Sequence, residues 1–326
     1  MNRPAGLPRR ALLRSAGLLA LACPSLARAA WPASVMRFVV PFAPGGALDV
    51  PARMLAERLG PALGATIVVE NRAGAGGGIG AQAVAQATAD GSTFLFTSSS
   101  VTILPALNPA LGLDPERGLA PISLVCDMPA VLLVKHDSRF ADLAALLAFA
   151  RANPGRLTYA SGGVGSANHL AGAAFASLAG IDMVHVPYRG MAPVLTAIQA
   201  GEIDLAFAPT LDVLGQVRQG RLRVLGQSLP ERVASLPGVP TIAEHLPGYA
   251  APNWFAVFGP AALPAALRDQ MAGALAPLRD WPALRDRFEA GAARLRLDGP
   301  APLAERLRED VPRWAALVSQ LGIRPD

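Results

Sequence analysis

Cysteine is nearly missing from this chain of 326 residues, which has only two, Cys23 and Cys126. Cys23 falls in a stretch read below as a removable leader, so one thiol remains and no internal disulfide is possible. Cys126 sits in the apolar stretch PISLVCDMPAVLLV, which reads as a packed thiol rather than a nucleophile. The four histidines, at 136, 169, 185 and 245, lack metal-ligand spacing. There is no G-x-S-x-G elbow and no H-E-x-x-H helix, so hydrolase and zinc-protease signatures are absent. Beyond the leader, no segment has the length and apolarity of a membrane-spanning helix. An excess of charge is lacking too. The formal +5 comes from Arg3, Arg9, Arg10, Arg14 and Arg28, in a segment without Asp or Glu; without them Lys+Arg falls from 29 to 24, matching 24 acidic residues. A near-neutral chain gives no support to a nucleic-acid partner.

What is present begins with an export signal. Basic residues precede AGLLALAC, and Ala27-Arg28-Ala29 puts small residues at the two cleavage-determining positions, so residues 1–29 are expected to be removed. RRALLR is similar to a twin-arginine signal, with Pro8 where Ser or Thr is usual; general secretory export is the other route. A membrane anchor would need about 20 apolar residues, and Pro24 breaks this shorter run. A lipoprotein is disfavoured because Ala20, not Leu, stands three residues before Cys23. The expected location is the periplasm. With 52% hydrophobic and 16% charged residues, the mature chain can bury a sizeable core and is long enough for two domains.

Apolar runs alternate with helical patterns. MRFVVPF, TIVVEN and STFLFTS read as strands, separated by the helices DVPARMLAERLGPAL and GAQAVAQAT. A second set follows: strands AVLLVKH, LTYAS, MVHVPY and IDLAFA, with helices DLAALLAFARAN, SANHLAGAAFASLAG and APVLTAIQAG between them. Such alternation predicts an α/β fold whose parallel strands are joined by right-handed crossovers. The C-terminal part reads as helices, and residues 246–260 as a strand returning to the first set. The first domain is then discontinuous, 30–127 plus 252–326, and the second spans 128–251. Two crossings, near 126–128 and 249–253, make a hinge.

Ligands of open parallel sheets sit beyond the carboxyl ends of the strands, and three turns lie there. In PFAPGGALD, Pro44-Gly45-Gly46 lets the backbone approach a ligand, with Asp49 as a helix N-cap and the N–H groups of Gly46, Ala47 and Leu48 beside the positive end of a helix. That arrangement favours an anion; a tight structural turn is the plainer reading. In YASGGVGSANHLAG, Ser161 and Ser166 offer hydroxyls and the N–H groups from Gly165 to Asn168 can form a nest, with His169 read as structural. In VPYRGMAP, Tyr188 offers an aromatic face and a hydroxyl, while strand alternation sends Arg189 to the other side, toward the surface or hinge. Thr97 to Ser100 add hydroxyls in the first domain. GGGIGA, residues 76–81, fits a dinucleotide fingerprint in form but has no acidic residue about 20 positions on, so nucleotide binding is set aside. No metal, cofactor or catalytic residue is expected.

Six segments in order, VVPFAPGGALDVPARMLAERLG, VVENRAGAGGGIGA, YASGGVGSANHLAG, VHVPYRGMAPVLTAIQAGEIDLAF, GVPTIAE and LPGYAAPNWFAVFGPA, closely resemble the Bug family of periplasmic receptors of the tripartite tricarboxylate transporter type. The resemblance runs from about residue 32 to the C-terminus. It implies a two-domain Venus-flytrap fold, each domain a mostly parallel sheet flanked by helices, closing on a small organic carboxylate held by peptide N–H groups, short hydroxyls and water. Carried over, the first-domain grip is Phe42, Gly46, Ala47 and Thr97 or Ser98; the second is Ser161, Gly165, Ser166 and Tyr188. The implied partners are the transporter's membrane subunits or, alternatively, a membrane sensor, and the receptor itself is expected to be monomeric.

Departures from the family pattern are Ala47-Leu48 in place of Gly-Thr, Ala73 and Gly78 in the second motif, and Ala208-Pro209 where Asp-Asn is common. Loss of that Asp, which the resemblance places in the cleft, argues for an apolar or purely acidic ligand and against an amino acid. The alternative function is a secreted α/β hydrolase with Ser166 or Ser99 as nucleophile.

Overall fold

The computed structural model describes residue 31 and residues 33–323; the expected leader and its cleavage point lie outside the described residues. The chain begins with β1 (Val35–Val40), α1 (Asp49–Leu63), β2 (Thr66–Asn71), α2 (Gly78–Ala85), β3 (Thr93–Ser98) and a short α3 (Leu104–Leu107). A long β4 (Leu119–Lys135) leads to α4 (Leu143–Ala152), β5 (Leu157–Ser161), α5 (Ala167–Ala179), β6 (Met183–Pro187), α6 (Met191–Ala200), β7 (Leu205–Pro209), α7 (Thr210–Arg218) and β8 (Leu222–Gln227). Then come β9 (Pro252–Pro260), α8 (Ala265–Leu275), α9 (Pro282–Ala290), β10 (Arg294–Leu295) and α10 (Pro300–Leu321).

Local chemistry explains where these elements stop. On α1, Leu55, Leu59 and Leu63 form one buried stripe, and Gly64 ends the helix in the left-handed conformation. Ser166 caps α5 by accepting the His169 N–H. Asp49, expected as an N-cap, is instead the first residue of α1, and Leu48 precedes it without a side-chain cap. The Asp49 carboxylate turns back to accept hydrogen bonds from Gly45 N at 3.0 Å, from Arg53 and from Asn71. Burial pushes its pKa up, but those bonds, led by Arg53, outweigh burial and hold it below the ordinary value.

The strands run in the order β2-β1-β3-β9-β4-β7-β5-β6, with β8 and β10 also on β4. The outer strands are parallel, as the alternation predicts: β1 with β2 and β3, β5 with β6 and β7. The centre is antiparallel, because β9 returns against β3 and β4, and β4 pairs with β7 and β8. β4 is a single strand of 17 residues that serves both halves. β8 has no counterpart among the strands read from sequence. Buried clusters cover both faces of each half: Phe38, Phe94 and Phe288 against Leu95, Trp254 and Leu303 in the first, and Phe175, Phe207 and Tyr249 against Val131, Val194 and Ile198 in the second. Cys126 is fully buried in the first of these, and burial pushes its thiol pKa up, which suits a packed side chain. Among the described residues no helix is long and apolar enough to cross a membrane.

The C-terminal helix packs into both halves. Leu303 and Leu307 join the cluster around Trp254, whereas Trp314 and Val318 join the one around Phe175. Its seat is fixed by Trp254, whose Nε1–H donates to Asp310 Oδ2 at 2.7 Å, with both residues buried. Replacing Asp310 by Ala leaves a buried indole N–H without an acceptor, an expected loss of about 1–3 kcal/mol, and Asp310→Asn, which keeps an acceptor, is expected to lose less. Urea unfolding of the two variants measures both.

Candidate functional site

Two cavities adjoin where the turns beyond the parallel strands face one another, and Phe42 and Gly162 line both. The inner one is a small space of about 50 Å³. The outer one, about 560 Å³, is bounded by the glycine-rich turn 73–77, by Gly163 and Val164, and by Tyr188 and Arg189.

Of the sequence-predicted residues, Phe42, Gly46, Ala47, Ser98 and Ser166 line the inner cavity, and Tyr188 lines the outer one. Thr97 is buried within β3, and Gly165 is held by its own turn, its N–H donating to His169 Nδ1 at 3.2 Å. Ser161 is fully buried beneath the turn, with Oγ 2.7 Å from His185 Nε2 and bonded to Gly163. The His185 ring stacks on His169 at 4.0 Å and packs, tilted, against Tyr159 at 4.8 Å. Loss of hydration pushes its pKa down to about 4, so it is neutral at ordinary pH. The structural reading of His169 agrees with this packing. Arg189 lines the outer cavity beside Tyr188, because β6 ends at Pro187 and alternation no longer separates them.

Neither bare turn is left with all its donors outward. At the first, the N–H of Ala47 donates to Asp212 Oδ1 at 2.5 Å, across the cleft from α7. The N–H groups of Gly46 and Leu48 meet no acceptor among the described residues. At the second, the expected nest is largely satisfied from within: Ser166 N donates to the Gly163 carbonyl at 3.1 Å, and Ala167 N to Ser100 Oγ at 3.0 Å. Ser100 belongs to the turn after β3, so this bond also crosses the cleft. A third approach is backbone on backbone. Gly76 has φ +62, and a Cβ there would lie 2.4 Å from the Val164 carbonyl oxygen. The motif GGGIGA thus has a packing role here.

Sequence reasoning missed Asp212, Asn168 and Asn253, which line the inner cavity. Ala208, which stands where the family pattern has Asp, packs into the core around Val131, while Pro209 faces the cavity. The argument from a lost cleft carboxylate is therefore corrected: Asp212, one helical turn further on, supplies one. Asp212 is half-buried, and burial pushes its pKa up to about 6 against the lowering effects of the Ala47 N–H and the Arg287 charge. The serines of the hydrolase alternative are otherwise engaged. Ser99 Oγ donates to Asn253 Oδ1 at 3.2 Å, and Ser166 Oγ caps α5.

Comparison with known proteins agrees with this geometry. The family described as "Tripartite tricarboxylate transporter family receptor" matches residues 51–323. The chain is 35% identical over 291 residues to a UPF0065 protein from the tcbD-tcbE intergenic region of Pseudomonas sp. (strain P51), covering 89% of this chain and 87% of that protein. The periplasmic binding protein BugD superposes with a TM-score of 0.84 at 30% identity, covering 89% of this chain and 98% of BugD. MatC from Rhodopseudomonas palustris, solved with bound malate, superposes at 0.82 with 29% identity, covering 87% of this chain and 98% of MatC. With the family match extending over most of the chain and the two-lobed α/β architecture shared with these binding proteins, the chain belongs to the tripartite tricarboxylate transporter family of receptors.

Proposed function

We propose that this chain is a periplasmic receptor that captures a small organic carboxylate between its lobes and delivers it to the membrane subunits of a tripartite tricarboxylate-type transporter. The observation that carries the reading is the pair of bare, helix-initiating turns at one cavity, lined by Gly46 and Leu48, whose peptide N–H groups have no acceptor among the described residues and are open to an anion. Malate bound in a relative of matching fold supports the ligand class, and BugD's periplasmic description supports the compartment. The lobes are residues 30–127 plus 252–326 and residues 128–251, with β4 and β9 as the connecting strands; their pairing from Leu119↔Pro260 to Pro129↔Pro252 supports a hinge there. Phe42, Gly46, Ala47, Ser98, Ser166 and Tyr188 form the grip, while Thr97, Ser161 and Gly165 hold the turns in shape.

Mechanistically, a ligand that contacts both turns binds the closed form better than the open one and shifts the equilibrium between them. The cross-cleft bonds of Ala47 and Ala167 belong to the closed form, so closure gains contacts from the protein as well as from the ligand.

Two substitutions test this reading. Ligand at 100 times Kd stabilises a fold by about 2.7 kcal/mol; for an acid that binds wild type, Gly46→Asp is expected to abolish that shift, because it sets a second carboxylate beside Asp212 in the anion's seat. A thermal-shift titration that still shows the full effect rejects the assignment. Gly76→Ala is expected to weaken ligand affinity by roughly tenfold or more, since the added methyl meets Val164 only when the lobes are closed. Gly64→Ala is the control. It also lies at positive φ but has nothing within 4 Å of its Cβ, so it should lower stability without affecting affinity.

A further inference from the structure

Asp212 is the ionisable side chain among the residues of the inner cavity, and the grip described above does not use it to select a ligand. It lies in the first turn of α7 and reaches across the cleft to the turn 45–48. Its Oδ1 takes the Ala47 N–H at 2.5 Å and lies 3.7 Å from where a Cβ on Gly46 would stand. Arg287, the α9 cation whose charge Asp212 feels, gives its Nη2–H to the Leu211 carbonyl at 3.0 Å rather than to the carboxylate. The carboxylate therefore faces the ligand space with its charge only weakly compensated.

An acid drawn to the N–H groups of Gly46 and Leu48 arrives next to this carboxylate, because the donors are neighbours in one turn. Two ionised carboxylates at such range repel. A hydroxyl or ammonium on the carbon beside the ligand's acid group reverses that relation, donating a charge-assisted hydrogen bond to Asp212 while the acid keeps the peptide hydrogens. The cavity holds only about 50 Å³, so the donor has to sit close to the acid group. We propose that Asp212 is the specificity-determining residue of this pocket, selecting short organic acids that carry a hydroxyl or ammonium beside the carboxylate over unsubstituted acids of equal length. This rests on the carboxylate reading and reverses the preference expected from Ala208-Pro209.

The test is calorimetric titration of the purified receptor at pH 8 with three length-matched sets: propionate, lactate and alanine; succinate, malate and aspartate; glutarate, 2-hydroxyglutarate and glutamate. In at least one set the substituted acids are expected to bind about tenfold or more tighter than the plain one. Asp212→Asn and Asp212→Ser, shown to be folded by their melting curves, are expected to bring members of that set within about threefold of one another, with the plain acid gaining affinity. Equal binding within every set by wild type overturns the proposal while leaving the carboxylate reading intact. So does a preference that persists in either folded variant. Should neither variant fold, the wild-type ratios decide. If none of the nine acids binds, the carboxylate reading falls and the proposal falls with it.

Discussion

A peptide N–H at the mouth of a helix, once cut off from water, has to find an acceptor. In this molecule that requirement is met across the cleft: Ala47 of one lobe donates to Asp212 of the other, and Ala167 of the second donates to Ser100 near the end of the first. The two bonds are reciprocal. Side chain is excluded outright only at the second turn, where a Cβ on Gly165 would lie 2.6 Å from Leu107; at Gly45 and Gly46 there is room for one. The net gain of each such bond over one to water is modest.

The same constraint organises the space around the turns. Gly74, Gly76, Gly77, Gly162 and Gly163 bound the outer cavity, where backbone meets backbone at Gly76 and Val164. Tyr188 and Arg189 stand at this outer part, whereas the inner cavity is lined by short polar groups and by Met191 and Phe255. At the second turn, Ser161, His185, His169 and Tyr159 form a packed polar and aromatic layer. Neutral imidazole suits that place, since a charge there would be poorly hydrated.

Much of the scaffold was legible because short apolar runs end at glycine or proline. α1, β2 and β5 fall on the residues that periodicity assigns. β8, Leu222–Gln227, was not legible: its sequence LRVLGQ mixes an arginine and a glutamine into the run, and its strand character comes from pairing with β4. The first turn was read as a bank of outward backbone donors, whereas the N–H of Ala47 is joined to a side chain 165 residues away. Local pattern carries no trace of such a contact. Asp212 in sequence is an ordinary acidic residue in a helix's first turn, and its contact depends on where α7 meets the turn 45–48. Thr97, Ser161 and Gly165, expected from the resemblance to touch a ligand, are buried in their strands and turn, which a motif does not reveal.

The C-terminal helix is a brace between the two halves of the sheet. Its near half is packed beside Trp254 and its far half ends in Trp314 and Val318 against the other lobe. A stiff rod held at both ends resists stretching, so it ties the two buried clusters at a fixed spacing along its length, and drawing them apart would lift an indole out of its packing.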